Sequence, residues 1–279
     1  MQLLYSSPDL TKYRNTLDPA MIVGFVPTMG ALHEGHLSLV REAKKQSDIV
    51  IVSIFVNPTQ FNNPDDLKNY PRTLEEDIAM LRSEQTDAIF IPGTKDIYPQ
   101  KDTRIFDFGI LQNTMEGLHR PGHFNGVAQV VTRLFDLVSP HKAFFGQKDF
   151  QQLAIIKKLV ELFHYNIKIV ACPIKREKDG LAMSSRNRLL TKEQRAHAPL
   201  VAETLFSAVK MKNKLSPADI KTWVLNTLNN DPMIKVEYFE IVNSLTLTPV
   251  NSWSDPVPKT GCLAVKIGNI RLIDNVFFD

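Results

Sequence analysis

The chain predicts a doubly wound parallel α/β domain followed by a smaller α+β domain. Three observations carry that expectation. Short continuous apolar runs recur through residues 1–175, as strands buried on both faces of a parallel sheet require. Segments of helical period separate them. After about Ile174 the character changes, and a charged stretch, two helical segments and a set of strand-like runs finish the chain. The division is placed at 175/176, which gives domains over 1–175 and 176–279, the charged stretch being the hinge.

In order, residues 1–20 read as a short strand, Gln2–Tyr5, and an irregular helix. Further strands are expected at Ile22–Val26, Ile49–Val56, Ala88–Ile91, Lys142–Phe145 and Asn166–Ala171. Pro27 and Gly30 break the first of these, and an amphipathic segment, Leu37–Lys45, leads away from the break. Val127, Val130, Val131, Leu134, Phe135 and Val138 recur at steps of three and four, as do Leu153, Ile156, Val160 and Phe163. Residues 175–190 are charged and irregular, with a turn at Asp179-Gly180. Helices are expected over Gln194–Lys212, with Val201, Leu205 and Val209 on one face, and over Pro217–Leu228, with Ile220, Trp223 and Leu228 on one face. Strands are expected at Lys235–Val242, Cys262–Ile267 and Ile270–Ile273. Pro249 to Pro258, with three prolines and two serines, reads as a loop.

A length of 279 residues, 43% hydrophobic and 23% charged, is ordinary for a globular chain of one or two domains. The net charge of +3 and the absence of a dense Lys/Arg block argue against a nucleic-acid surface. Lys142, Lys148, Lys175, Arg176, Lys178, Arg186 and Arg188 make the middle locally basic, which fits either a solvated face or attraction for a small anionic ligand. Cys172 and Cys262 lie amid apolar residues and outside any metal-ligand spacing, as buried thiols in a reducing compartment do. Met1 to Lys12 lacks the pattern of a secretory leader, and no apolar run is long enough to span a bilayer. A cytoplasmic protein without a membrane partner is expected.

The chemistry gathers after strands. Val26-Pro27-Thr28-Met29-Gly30-Ala31-Leu32-His33-Glu34-Gly35-His36 is a strand–turn–helix unit, whose backbone N–H groups and helix dipole suit a phosphate chain. Two imidazoles three residues apart share one face of the first helical turn and can donate to phosphate oxygens. A zinc-protease helix needs a spacing of four, so a metal site is not expected here. Asn57-Pro58-Thr59-Gln60-Phe61 follows the strand Ile49–Val56. Its amides suit a small polar substrate, although an Asn-Pro turn alone explains the string.

In Arg120-Pro121-Gly122-His123-Phe124-Asn125-Gly126, Asn125 reads as the N-cap of the apolar helix that follows, while Arg120 and His123 flank its start. Gly146-Gln147-Lys148-Asp149-Phe150-Gln151-Gln152 again follows a strand. There Asp149 fits an N-cap, Gly146 allows close approach, Lys148 offers a point charge to phosphate, and Gln152 faces the cavity of Gln60. Met183-Ser184-Ser185-Arg186, in the hinge stretch, reads as either a polar linker or a mobile loop that closes on a triphosphate.

Together these strings resemble the pantoate–β-alanine ligase family. The likeness covers residues 20–190 in order through Val26–Gly30, His33–His36, Ser53–Phe61, Tyr70–Leu74, Arg120–Gly126, Phe145–Gln152 and Asp179–Arg186, and Arg271–Asn275 is also family-like. A single His-x-Gly-His would indicate only the wider nucleotidyltransferase superfamily, so another adenylate-forming enzyme and a non-catalytic nucleotide sensor are the alternatives.

The resemblance implies a Rossmann-like domain that binds ATP and pantoate, over which the C-terminal domain closes. The reaction it implies is ATP-dependent joining of (R)-pantoate and β-alanine through pantoyl adenylate, with Mg²⁺ accompanying ATP and no metal-ligating residue assigned. It also implies a homodimer. By motif position, Met29, Gly30, His33 and His36 line the ATP site, with His36 the proton donor and His33 beside it on phosphate. Gly146, Gln147, Lys148 and Asp149 bind nucleotide, with Lys148 on phosphate, and Met183, Ser184, Ser185 and Arg186 close the site. Lys175 lies where the family holds adenine by backbone. Gln60 contacts pantoate and β-alanine, Gln152 contacts pantoate, and Asn57 is nearby. Gln147 departs from the Glu found in many members, and residues 200–270 match only weakly.

Overall fold

A computed structural model describes residues 1–61 and 64–278. In chain order it gives β1 (Gln2–Leu4), α1 (Ser7–Arg14), β2 (Val23–Thr28), α2 (Glu34–Gln46), β3 (Ile49–Ile54), α3 (Pro64–Asn69) and α4 (Leu74–Ser83). There follow β4 (Ala88–Phe90), α5 (Thr94–Ile97), α6 (Met115–His119), α7 (His123–Val138), β5 (Lys142–Gly146), α8 (Phe150–Leu162) and β6 (Lys168–Cys172). The remainder holds α9 (Lys192–His197), α10 (Pro199–Lys210), α11 (Pro217–Asn229), β7 (Ile234–Asn243), β8 (Lys259–Ile267) and β9 (Ile270–Phe277). One unit comprises Met1–Gln112, Glu116–Gln147 and Gln152–Pro173; the other comprises Asn113–Met115, Lys148–Gln151 and the residues from Ile174 onward.

The first unit is a six-stranded sheet of order β1-β4-β3-β2-β5-β6, parallel throughout. Its strands are apolar because both faces are covered. One core gathers Phe25, Phe90, Phe135, Ile155 and Leu159 beneath α1, α7 and α8; the other gathers Val26, Val40, Val52 and Leu81 beneath α2 and α4. The chain winds outward from β2 to β4 on one side and from β5 to β6 on the other. The order therefore reverses between β2 and β5, and a crevice opens at their carboxyl ends. The loops that leave β2 and β5 begin there, at Met29 and Gln147.

Two local expectations are corrected in this unit. Pro27 does not break the strand; it lies inside β2 in register with Ser53. Beyond Phe25↔Ala143, β2 has no register partner on its β5 side, so a residue without an N–H is tolerated. Asn125 is not the N-cap of α7. Gly122, at φ +80°, holds that position, and α7 starts at His123. The Asn125 amide instead accepts from Phe106 N (2.9 Å) and donates to Arg104 O (3.2 Å), pinning residues 104–106.

The second unit is the antiparallel sheet β7-β8-β9, with α10 and α11 supplying Val201, Leu205, Ile220 and Val224 to a core with Phe239, Leu263 and Val265. One helix expected over Gln194–Lys212 is two. Pro199 has no N–H to donate, so the first helix ends at His197 and the proline opens α10.

Residues 175–190 are also more ordered than their charge suggests. Arg176 and Ala182 form an antiparallel bridge around the Asp179-Gly180 turn, and Ser185–Leu189 forms a 3₁₀ turn capped by Ser184. Arg176 anchors the bridge with two bonds to Asp274 (2.6 and 2.9 Å) and lies over the Phe206 ring at 4.8 Å. Asn187 ties Glu177 (2.7 Å) to Ala182 O (3.1 Å), and Arg195 pairs with Glu177 and Asp179.

Candidate active site

The loop leaving β2 is bent by two successive left-handed residues, Gly30 (φ +79°) and Ala31 (φ +50°). Such a turn aims consecutive N–H groups into one concavity. That concavity is already filled. Asp77, on α4 and 1% exposed, accepts from Ala31 N (2.9 Å) and Leu32 N (2.8 Å). Gly30 N donates to Thr28 Oγ1 (3.2 Å), and Gly35 N donates to His33 Nδ1 (3.1 Å). The expectation that backbone N–H groups of this stretch cradle a phosphate is corrected for these four groups.

The histidines serve differently. His33 caps α2 through Nδ1, and His36 Nδ1 accepts from His33 N (3.4 Å), so the pair forms a reciprocal cap. Their rings lie 4.1 Å apart. With Nδ1 used as an acceptor on both, the neutral rings carry their protons on Nε2, a tautomer assigned from this hydrogen-bond pattern. The helix terminus that the two imidazoles cap thus holds both rings in place.

Beside this loop lies the amide cluster after β3. Gln60 donates from Nε2 to Met29 Sδ at 2.8 Å, so the two motifs meet directly. Gln60 Oε1 accepts from Asn57 Nδ2 (3.3 Å), and Gln60 O accepts from Arg120 Nη2 (3.5 Å) and pairs with His123 Nδ1 (2.8 Å). Arg120 is held by Glu116 at 3.6 Å.

Asn57 is 1% exposed. Its Oδ1 accepts from Tyr98 Oη (2.9 Å) and Thr59 Oγ1 (3.2 Å), and its Nδ2 also reaches Gly126 O (3.1 Å). Burial pushes the Tyr98 phenol pKa up, which keeps it a donor to this amide. Asn57 therefore stands behind Gln60, a correction to the view of it as an amide offered to substrate. Gly126 completes the arrangement: a Cβ there would overlap Thr59 O and come within 2.8 Å of Gln60 N. Only glycine lets the Pro58–Gln60 turn rest on α7.

At the end of β5, a Cβ added to Gly146 would meet nothing within 4 Å, so the space above it is open to a ligand. Gln147 N donates to Cys172 O (2.8 Å), continuing the ladder past the strand. Asp149, exposed, sits one residue before α8, and Gln152 is half-buried in its first turn.

In the second unit, Lys148 is half-buried, and its carbonyl accepts from Asn275 Nδ2 (3.0 Å). The Asp274 carboxylate next to Asn275 is 3% exposed, and burial raises its pKa against the pull of Arg176 and the Lys148 charge. Lys175 is exposed, and its carbonyl accepts from Met183 N (3.0 Å), so its backbone is engaged. Met183, Ser184 and Arg186 are half-buried. Ser185 is 6% exposed, and Ser184 Oγ accepts from Arg186 N (3.3 Å).

Asp77 was not singled out in the sequence. In Leu74-Glu75-Glu76-Asp77 it looks like one of several acids favoured at a helix start. The available signal was its position: it shares a helix face with Leu74 and Leu81, where a carboxylate needs dedicated donors.

Among the described residues, no group of three or more His, Cys, Asp or Glu stands together as a metal site, and no helix is long and apolar enough to cross a membrane. Cys172 and Cys262 are buried and not in a disulfide. Burial pushes the Cys172 thiol up to about 11.

The family model described as pantoate-beta-alanine ligase matches residues 3–277. A pantothenate synthetase of Porphyromonas gingivalis (strain ATCC BAA-308 / W83) is 50% identical over 257 residues, 92% of each chain. One of Bacteroides thetaiotaomicron is 47% identical, covering 91% of this chain and 90% of its own. The crystal structure of pantothenate synthetase from Thermus thermophilus superimposes with a TM-score of 0.92 at 40% identity over 99% of both chains. Pantoate-beta-alanine ligase from Francisella tularensis, complexed with beta-gamma ATP and beta-alanine, gives 0.84 at 38% identity over 100% of this chain and 98% of its own.

Proposed function

The chain belongs to the pantoate–β-alanine ligase family, and we infer from its geometry how its residues divide that reaction. The enzyme joins (R)-pantoate to β-alanine at the expense of ATP. In the first step a pantoate carboxylate oxygen attacks the α-phosphorus. The bond from that phosphorus to the bridging oxygen breaks, and pyrophosphate leaves. In the second, the β-alanine amine attacks the acyl carbon of pantoyl adenylate, the bond to AMP breaks, and the amine gives its proton to solvent. Adenylation is chiefly positioning and stabilisation of growing charge.

What supports the assignment of roles is the reciprocal cap of His33 and His36, in which both Nδ1 atoms accept backbone N–H groups and the ring protons are assigned to Nε2. The two rings stabilise the negative charge that gathers on pyrophosphate as it departs, with His36 giving it a proton. Met29 and Gly30 border the nucleotide, as do Gly146, Gln147 and Asp149. Lys148, a mobile point charge, neutralises phosphate, and Met183, Ser184, Ser185 and Arg186 add polar contacts to it. Lys175 contributes its backbone. Gln60 and Gln152 take pantoate, and Gln60 also takes the amine; Asn57 keeps Gln60 aimed.

Mg²⁺ is read as travelling on the triphosphate, where it would offset phosphate charge. The donor set fits that reading, because the groups assigned to the phosphates are imidazoles, hydroxyls and cations rather than a carboxylate cage. Residues 1–175 are assigned the ATP and pantoate sites and 176–279 an accessory role in covering them. A cytoplasmic homodimer completes the reading: the buried thiols suit a reducing compartment, and sedimentation velocity would report the dimer's mass.

The test is a pair of assays. Steady AMP production should require pantoate and β-alanine together, and ATP–pyrophosphate exchange should require pantoate alone. Exchange driven equally well by an unrelated acid would contradict the role of the Gln60 cluster.

A further inference from the structure

We propose that Asp77 is a positioning residue for adenylation, an internal anion that occupies the loop's own anion site and leaves the histidines to hold the phosphate chain. The proposal rests on the reading of His33 and His36 given above. Two successive left-handed residues, Gly30 and Ala31, form a concavity of the kind that binds anions. Its N–H groups, at Ala31 and Leu32, are 2.9 and 2.8 Å from the two oxygens of one carboxylate, and Thr73 Oγ1 donates to the same group at 3.1 Å.

The carboxylate is 1% exposed and comes from α4, a different element from the loop that it holds. A Cβ at Gly30 would sit 3.0 Å from Asp77 Oδ2, so glycine serves both the backbone angle and this contact. The strained Ala31 conformation is offset by a charged acceptor. The rotation of the chain into His33 is fixed, and with it the cap that orients both imidazoles. Finally, a phosphate is denied the Ala31 and Leu32 N–H groups.

Asp77→Asn separates this role from simple packing, because an amide has one acceptor and turns an NH₂ toward an N–H donor. The assays are single-turnover pyrophosphate release from ATP and pantoate, and single-turnover consumption of supplied pantoyl adenylate by β-alanine. With Asp77→Asn, the KM for ATP should rise and adenylation should slow, each by about tenfold or more, while the KM for β-alanine in the second step stays within about twofold. A folded Asp77→Asn enzyme with wild-type adenylation and wild-type KM for ATP overturns the proposal, as does an equal loss in both steps.

If Asp77→Asn does not fold, Thr73→Val removes one donor and keeps the carboxylate. It should raise the KM for ATP about threefold without moving that for β-alanine, and an unchanged KM for ATP overturns the proposal. His36→Ala runs in parallel. Unimpaired adenylation there removes the reading of the imidazoles, whereas slow His36→Ala beside normal Asp77→Asn removes the Asp77 proposal alone.

Discussion

At the scale of single residues, the polar groups assigned to substrate are themselves held by other side chains. Gln60 is the clearest case, fixed at its side chain by Asn57 and Met29 and at its carbonyl by His123 and Arg120. Gly126 permits all of this by having no Cβ. Gly126→Ala is expected to push the Pro58–Gln60 turn off α7 and raise the KM for pantoate about tenfold or more, with the KM for ATP less affected; steady-state kinetics in each substrate checks it. Lys148→Ala is expected to slow adenylation about a hundredfold, measured in single turnover. At this scale the sequence offers candidates where a residue type announces its chemistry, as His33, His36, Gln60 and Lys148 do. It was not readable where the role depends on a distant partner. Asp77 looks like an ordinary helix-start acid until the Ala31 and Leu32 N–H groups are seen against it. Asn125 looks like a cap until residues 104–106 are seen to need its amide.

At the scale of elements, boundaries follow backbone chemistry that short-range pattern captures unevenly. Pro199 ends one helix and starts the next, and its effect was legible in principle because the missing N–H is local. Pro27 was misleading, since whether a strand tolerates proline depends on which neighbours it has. The charged stretch 175–190 folds because its charges find partners, above all Arg176 with Asp274.

Asp274→Ala would leave Arg176, whose side chain is 19% exposed, largely buried without its partner, and is expected to cost about 3–5 kcal/mol. Trp223 and Trp253, the chain's two tryptophans, both lie in the second unit, so urea unfolding followed by tryptophan emission reads that loss where it occurs.

A pH effect belongs to the segment 102–106. The Arg104 side chain beside Asp102 (2.6 Å) lowers the carboxyl below its usual 3.8. The folded pKa is depressed, so the stabilisation is fully present above about pH 4 and is lost as pH falls through the folded value. Asp102→Asn should therefore flatten part of the fall in melting temperature below pH 4, and an acid limb identical to wild type would contradict this.

At the scale of the molecule, the alternation of apolar runs and helical periods was enough to predict a parallel sheet with helices on both faces. It was enough because strands buried on both sides leave an unbroken hydrophobic signature. Strand order was not legible, since register and neighbour choice are tertiary properties. Yet the order β4-β3-β2-β5 is what gives the motifs meaning. It brings the loop after β2 to the point where the sheet reverses, and the Met29–Gln60 contact joins that loop to the turn after β3.

On this reading, the capped, Nε2-protonated histidines at the reversal point carry the departure of pyrophosphate, and every other role is arranged around them. Rapid-quench measurement of pyrophosphate from ATP and pantoate, with β-alanine withheld, isolates that step. Wild-type enzyme should give a burst approaching one pyrophosphate per chain, and His36→Ala should form it about a hundredfold more slowly, roughly 3 kcal/mol of lost transition-state stabilisation. A His36→Ala burst at the wild-type rate would contradict that role.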